Sequence, residues 1–91
     1  MKVYWEERKK GQRLVLDSES GQREELGGVR ETKNGYDAFA KTFGYEPGRA
    51  MKGIPTMADA KEFVESFSPW ELFDAHDLTV EPDVKPPFLS Q

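Results

Sequence analysis

Polar and apolar side chains alternate along the first thirty residues, a pattern that predicts three β-strands. In residues 2–10, Val3 and Trp5 fall on one face at a period of two, and charged residues fall on the other. Residues 13–17 repeat this alternation, and residues 22–30 repeat it less regularly. Glycine and serine occupy the connections, so we expect tight turns between neighbouring antiparallel strands.

The next segment has apolar residues at helical spacing. We expect a helix to begin near Asn34, whose side chain can cap a helix, and to end at Gly44. The apolar positions follow at i, i+3, i+4 and i+7, which is one face of a helix. These positions are Tyr36, Phe39, Ala40 and Phe43.

A second helix is predicted after a connection over residues 45–55. Thr56 is a capping residue, Asp59 follows three positions later, and Pro69 prevents the helix from continuing. The apolar stripe on this helix consists of Met57, Ala60, Phe63, Val64 and Phe67.

These elements predict an α+β fold in which a small antiparallel meander of three or four strands is packed on one face by two amphipathic helices. Residues 78–84 are the candidate for a short edge strand, because Pro82 cannot donate to a sheet ladder. We expect residues 1–84 to form one domain and residues 85–91 to form an extended or disordered tail.

Composition restricts the function classes. The chain has 91 residues and no cysteine, which excludes disulfides, thiolate catalysis and zinc–thiolate sites. The longest uninterrupted apolar run is Leu14–Leu16, far shorter than a membrane span. We therefore expect a cytoplasmic protein with no membrane partner.

Charge is distributed unevenly along the chain. The formal net charge is −4, yet residues 1–50 hold 10 basic and 9 acidic residues, whereas residues 51–91 hold 3 basic and 8 acidic residues. An acidic chain repels nucleic acid on average. The leading hypothesis is therefore a non-enzymatic binding or adaptor module that contacts another protein, such as an accessory or inhibitory protein of the phage type, either as a monomer or as a homodimer.

The acidic half also holds aromatic residues suited to such a contact. Trp70 follows Ser68 and Pro69, and tryptophan is enriched at the energetic centres of interfaces, although in so small a chain Trp70 is also a candidate for the core. The predicted protein-docking residues are Trp70, Glu71, Phe73, Asp74, Glu62 and Glu65.

Basic residues near the first predicted hairpin suggest nucleic-acid binding as the alternative. Four glutamates lie among them, however, so a solvated surface of mixed charge explains the same pattern. The candidate nucleic-acid-binding residues are Arg8, Lys9, Lys10, Arg13, Arg30 and Lys33, and the interspersed acids are Glu6, Glu7, Glu24 and Glu25.

The order of the predicted elements supports this alternative. Three strands containing YWEERKKGQRLVL precede a helix entered through Thr32, Gly35 and Ala38 in a T-x-x-G-x-x-A pattern. Over about residues 2–43 this order resembles the arm-type DNA-binding modules of phage integrases and the AP2 domain. The resemblance implies that the basic hairpin contacts DNA.

A third hypothesis places a hydrolase or metal site around His76. This histidine is flanked by Asp74 and Asp77, but its spacing matches no metal-ligand pattern and the chain contains no second histidine. A solvated loop accounts for the same residues. We therefore expect no catalytic residues, no metal and no cofactor.

Overall fold

A computed structural model describes residues 1–44, 46–75 and 78–87. Within these ranges, five strands and one α-helix follow one another. The strands are β1 (Lys2–Arg8), β2 (Gly11–Asp17), β3 (Arg23–Thr32), β4 (Gly35–Ala40) and β5 (Ala50–Ile54), and the helix is α1 (Met57–Glu65). Short 3₁₀ helices occupy Pro47–Arg49 and Pro69–Phe73.

The strands form one antiparallel meander in the order β1-β2-β3-β4-β5. In the register of β1 and β2, Val3 pairs with Leu16 and Trp5 pairs with Leu14, so these four apolar side chains share a face. Helix α1 packs on the same face, which therefore contains the hydrophobic core.

The prediction of two helices on a three- or four-stranded sheet is wrong at its first helix, because residues 35–40 form β4. Asn34 lies in a hairpin turn instead of capping a helix. Gly35 adopts a positive φ of 116°, and the Thr32 hydroxyl accepts from the Asn34 N–H at 3.1 Å and donates to the Gly35 carbonyl at 3.0 Å. Beyond the turn, Ala38 and Ala40 are buried while Phe39 between them is exposed, which is strand alternation.

The predicted connection over residues 45–55 also contains a strand. Residues of β5 pair with β4 through Tyr36–Ile54 and Phe39–Ala50, so the sheet has five strands. Only Ile54 of this strand is buried, and the sequence therefore shows no alternation that would reveal it. A fourth strand follows the third, so the order of elements behind the resemblance to integrase modules is absent.

The helix predicted after Thr56 is confirmed. The Thr56 hydroxyl accepts from the Asp59 N–H at 3.0 Å, which satisfies a backbone donor at the start of α1. Ala60 and Val64 are fully buried on the face that meets the sheet. Gly27 allows this contact, since a Cβ built there would lie only 2.7 Å from Val64 Cγ1.

The C-terminal segment lies along the outer edge of β1. The Glu81 N–H donates to the Val3 carbonyl and the Lys85 N–H donates to the Trp5 carbonyl, both at 2.8 Å. Two parallel bridges, Val3–Val80 and Glu6–Lys85, result from this pairing. Residues 78–85 therefore occupy hydrogen-bonding groups that an edge strand would otherwise expose.

Part of the predicted tail, residues 88–91, lies outside the described residues. Among the described residues, no helix has the length and the apolar composition that crossing a membrane requires.

Substituting Gly27→Ala should lower the free energy of unfolding by about 1–3 kcal/mol, because the added methyl group overpacks the contact between α1 and β3. A Cβ at position 27 also lies 2.5 Å from the Phe39 carbonyl oxygen, which belongs to the backbone and cannot turn away. Gly48→Ala is the matched control, since its nearest neighbour is a flexible carboxylate oxygen at 3.5 Å. Equal urea midpoints for the two variants would contradict this packing.

Candidate functional site

The two faces of the sheet differ in chemistry. We call the face opposite α1 the open face. Because register partners project to the same side, the open face carries a row that crosses the strands from β1 to β5. The row consists of Glu6, Arg13, Gly28, Phe39 and Ala50. A carboxylate, a guanidinium and an aromatic ring therefore lie side by side on this surface.

The Glu6 carboxylate is buried between two arginines, with only 2% of the residue exposed. Arg13 Nε donates to Glu6 Oε1 at 2.8 Å, and Arg23 donates to Glu6 Oε2. A buried carboxylate needs such charged donors to compensate its lost hydration. Glu6 therefore adds no free negative charge to the open face.

Arg23 extends this network to the far end of β1. Its guanidinium also donates to the Tyr4 hydroxyl at 3.2 Å, and that hydroxyl donates to Asp17 Oδ2 at 3.2 Å. Burial lowers the pKa of Arg23, but the hydrogen bonds to Tyr4 and Glu6 outweigh it and hold the pKa above its usual value. The charges of Glu6, Arg23 and Asp17 therefore compensate one another in the half of the open face that holds Tyr4.

A groove of about 420 Å³ crosses the other half of the open face. Basic side chains from β1, β2, β3 and β5 and from the turn between β1 and β2 meet at this groove. Among the described residues, two acids also line it. The cations are Arg8, Lys9, Lys10, Arg13, Arg30 and Lys52, and the acids are Glu25 and Asp37. We call this site the basic groove.

Most of these cations form no ion pair with the residues that the structure describes. Arg13 is held by Glu6 and lies 3.9 Å from Glu25, so its charge is compensated. Asp37 accepts from the Gly53 N–H at 3.1 Å. The other five cations form no ion pair with any residue in the described ranges. Five cations of the basic groove are thus outside any ion pair with the described residues, while Asp37, the register partner of Arg30, keeps its negative charge there.

Strand alternation separates these cations from glutamates that are their neighbours in sequence. Glu7 lies on the same side of β1 as Trp5, the side that faces α1. Its carboxylate interacts electrostatically with the ammonium group of Lys61 on that helix. Glu24 pairs with Leu16, also on the side of α1. Of the four interspersed glutamates, two therefore face away from the groove and Glu6 is buried, which leaves Glu25.

Phe39 provides an aromatic surface in the basic groove. The residue is 44% exposed, and its ring extends over Gly28 on the neighbouring strand. A Cβ built on Gly28 would lie 3.1 Å from Phe39 Cε1 and 3.6 Å from Cζ. The missing side chain at position 28 therefore leaves the space that the ring occupies.

The structure brings together five of the six predicted nucleic-acid-binding residues, while Lys33 in the β3–β4 turn does not line the groove. Sequence reasoning missed Lys52 and Phe39. If residues 35–40 had been interpreted as a strand, alternation would have placed Phe39 on the polar face. No local sequence pattern indicates that Lys52 lies at the same site.

The predicted protein-docking residues occupy the side of the molecule that holds α1 and the second 3₁₀ helix. Trp70 is only 9% exposed and belongs to the core, and Phe73 is half-buried against it. Glu65 accepts from Trp5 Nε1 at 2.7 Å. Three acids, Glu62, Glu71 and Asp74, are exposed. The exposed part of this set is therefore acidic, and its tryptophan is internal.

His76, on which the hypothesis of a hydrolase or metal site depends, lies outside the described part of the chain. Within the described ranges, no group of three or more histidine, cysteine, aspartate or glutamate side chains could hold a metal ion.

Compared with protein-family models, curated proteins and solved structures, the chain matches none of them.

Replacing Glu6→Gln should lower the free energy of unfolding by about 3 kcal/mol, because two arginines lose the buried charge that they share. Glu25→Gln is the matched control. It removes a half-exposed carboxylate 3.9 Å from the same arginine, and we expect it to cost less than about 0.5 kcal/mol. Urea unfolding measures both values, and equal losses would show that the burial of Glu6 does not matter.

Proposed function

We propose that the protein is a non-enzymatic nucleic-acid-binding module whose binding surface is the basic groove. The observation that carries this proposal is the excess of basic side chains in one groove of the open face, where five cations from separate parts of the chain form no ion pair within the described ranges. Phosphate contacts require positive charge that no neighbouring carboxylate compensates. A cytoplasmic location is part of the proposal, in keeping with the absence of cysteine.

The acidic net charge is compatible with this function because opposite charges are separated in space. Glu62 and Glu71 are exposed on the side of the sheet that carries α1, and the cations line the opposite face. At physiological ionic strength, exposed charges further apart than about 8 Å are largely screened from one another. A phosphate in the groove therefore interacts mainly with the groove cations.

Affinity for a labelled oligonucleotide should fall steeply with salt. If four phosphates are contacted, a single strand loses affinity by about 50-fold between about 50 and 200 mM salt. Fluorescence anisotropy measures this dependence. Failure to bind any single or double strand at about 50 mM salt would overturn the proposal.

Reversing one groove charge should weaken binding and flatten its salt dependence. We expect Lys52→Glu to lower the slope of log affinity against log salt by about one, because one phosphate contact is lost. Lys2→Glu is the matched control. Lys2 is also exposed, but it lies at the end of β1 that is remote from Arg8 and does not line the groove. Equal effects of the two substitutions would indicate attraction by net charge rather than binding in the groove.

Docking to a basic protein surface is the second candidate. It is supported by Leu72, which is 37% exposed beside the exposed Glu71 on the second 3₁₀ helix. An apolar side chain with acidic neighbours can contact a partner whose own surface is positive, and the charges then accelerate association.

For this second candidate, Glu71→Lys should slow association with a partner recovered from source cells after nuclease treatment. Asp83→Lys reverses another exposed acid and should leave the association rate nearly unchanged. Biolayer interferometry at several salt concentrations separates the two variants. A partner that binds both at the wild-type rate would contradict docking through Glu71.

A further inference from the structure

Phe39 places an aromatic ring among the cations of the basic groove. Its cross-strand partner Gly28 has no side chain, so the ring extends over the neighbouring strand. Despite this contact, Phe39 remains 44% exposed. A half-exposed aromatic ring gives up favourable burial, and an apolar ligand surface would restore it.

Along the direction that crosses the strands, cations lie on both sides of this ring. Lys9 and Lys10 lie in the turn between β1 and β2, while Lys52 belongs to β5, which pairs with the strand of Phe39. From β2 to β5 the sheet spans three strand spacings, or about 14 Å. A polyanion lying across the strands would therefore contact positive charge before and after it passes the ring.

The ring distinguishes between the two forms of nucleic acid. In a duplex both faces of each base are covered by neighbouring base pairs, so an aromatic ring on a sheet surface reaches only sugar and phosphate. An unpaired base exposes its faces and can stack on such a ring, whatever its identity.

We propose that the basic groove binds single-stranded nucleic acid, with one unpaired base stacked on Phe39 and the flanking phosphates held by the surrounding lysines and arginines. This inference rests on the proposed function and narrows it to one class of ligand. Stacking on a ring without hydrogen bonds to base edges gives little preference among sequences.

Three labelled probes of equal phosphate number test the inference: a thymidine strand of about fifteen nucleotides, the same backbone without bases, and a duplex. We expect the thymidine strand to bind about tenfold or more tightly than the other two, since only it has exposed base faces. Phe39→Leu should remove this advantage and leave the salt slope unchanged, because no cation is lost.

The abasic strand isolates the contact between base and ring. Phe39→Leu should weaken binding of the thymidine strand about tenfold and leave binding of the abasic strand unchanged, as in a double-mutant cycle. Phe39→Trp retains a stacking surface and should restore the affinity. Quenching of its emission by the strand, beyond the quenching seen in the wild-type protein with Trp5 and Trp70, would report the contact. Phe43→Leu, at a ring 93% exposed that does not line the groove, is the matched control.

The outcomes separate this inference from the proposed function. Binding of all three probes with similar affinity, or an unchanged affinity of Phe39→Leu for the thymidine strand, would overturn base stacking and leave phosphate binding intact. Binding of none of them would overturn both. Tighter binding of an acidic polypeptide such as polyglutamate than of any oligonucleotide would assign the groove to a protein ligand.

Discussion

Pairing five strands into one meander sends successive side chains to opposite faces, and the rest of the molecule depends on this period of two. On one face it gathers Val3, Trp5, Leu14 and Leu16 under α1. On the other it leaves the basic groove. A charge sequence that looks mixed along β1 is sorted in space, because Glu7 goes to the side of α1 and Arg8 to the open face. The same constraint therefore builds the core and concentrates the cations.

Glu6 is an exception to this separation of acidic and basic side chains between the two faces. Alternation places this carboxylate on the open face, where an unpaired acid would oppose the binding of an anion. Arg13 and Arg23 neutralise it, and their hydrogen bonds offset the cost of its dehydration. The two arginines are thereby committed to structure. The free positive charge of the groove comes from the lysines, Arg8 and Arg30, which form no ion pair with described residues.

Sequence reasoning succeeded where one face of an element is buried and its ends carry clear signals. The stripe after Thr56 is confirmed as α1, and the alternation predicted for the first two strands agrees with the register that pairs Val3 with Leu16 and Trp5 with Leu14 on the core face. It failed at β4, because Tyr36, Ala38 and Ala40 face the core while the exposed Phe39 completes an apparent helical stripe. The Asn34–Gly35 pair is a strong hairpin signal and would have decided between the two. Strand β5 left no such trace, since only Ile54 of its five residues is buried and no alternation results.

The groove and the core are separated through the thickness of the sheet, and this separation makes function and stability independently measurable. The groove lysines are exposed and form no ion pair within the described chain, so reversing their charge removes no buried contact. Substitutions at Gly27 or Glu6 act in the opposite way, since both change packed or desolvated groups. Phe39 lies between these classes, because its ring contacts the sheet over Gly28 while part of it faces the groove. Loss of binding in a Phe39 variant is therefore meaningful only beside its unfolding curve, whereas loss of binding in a Lys52 variant can be attributed to charge.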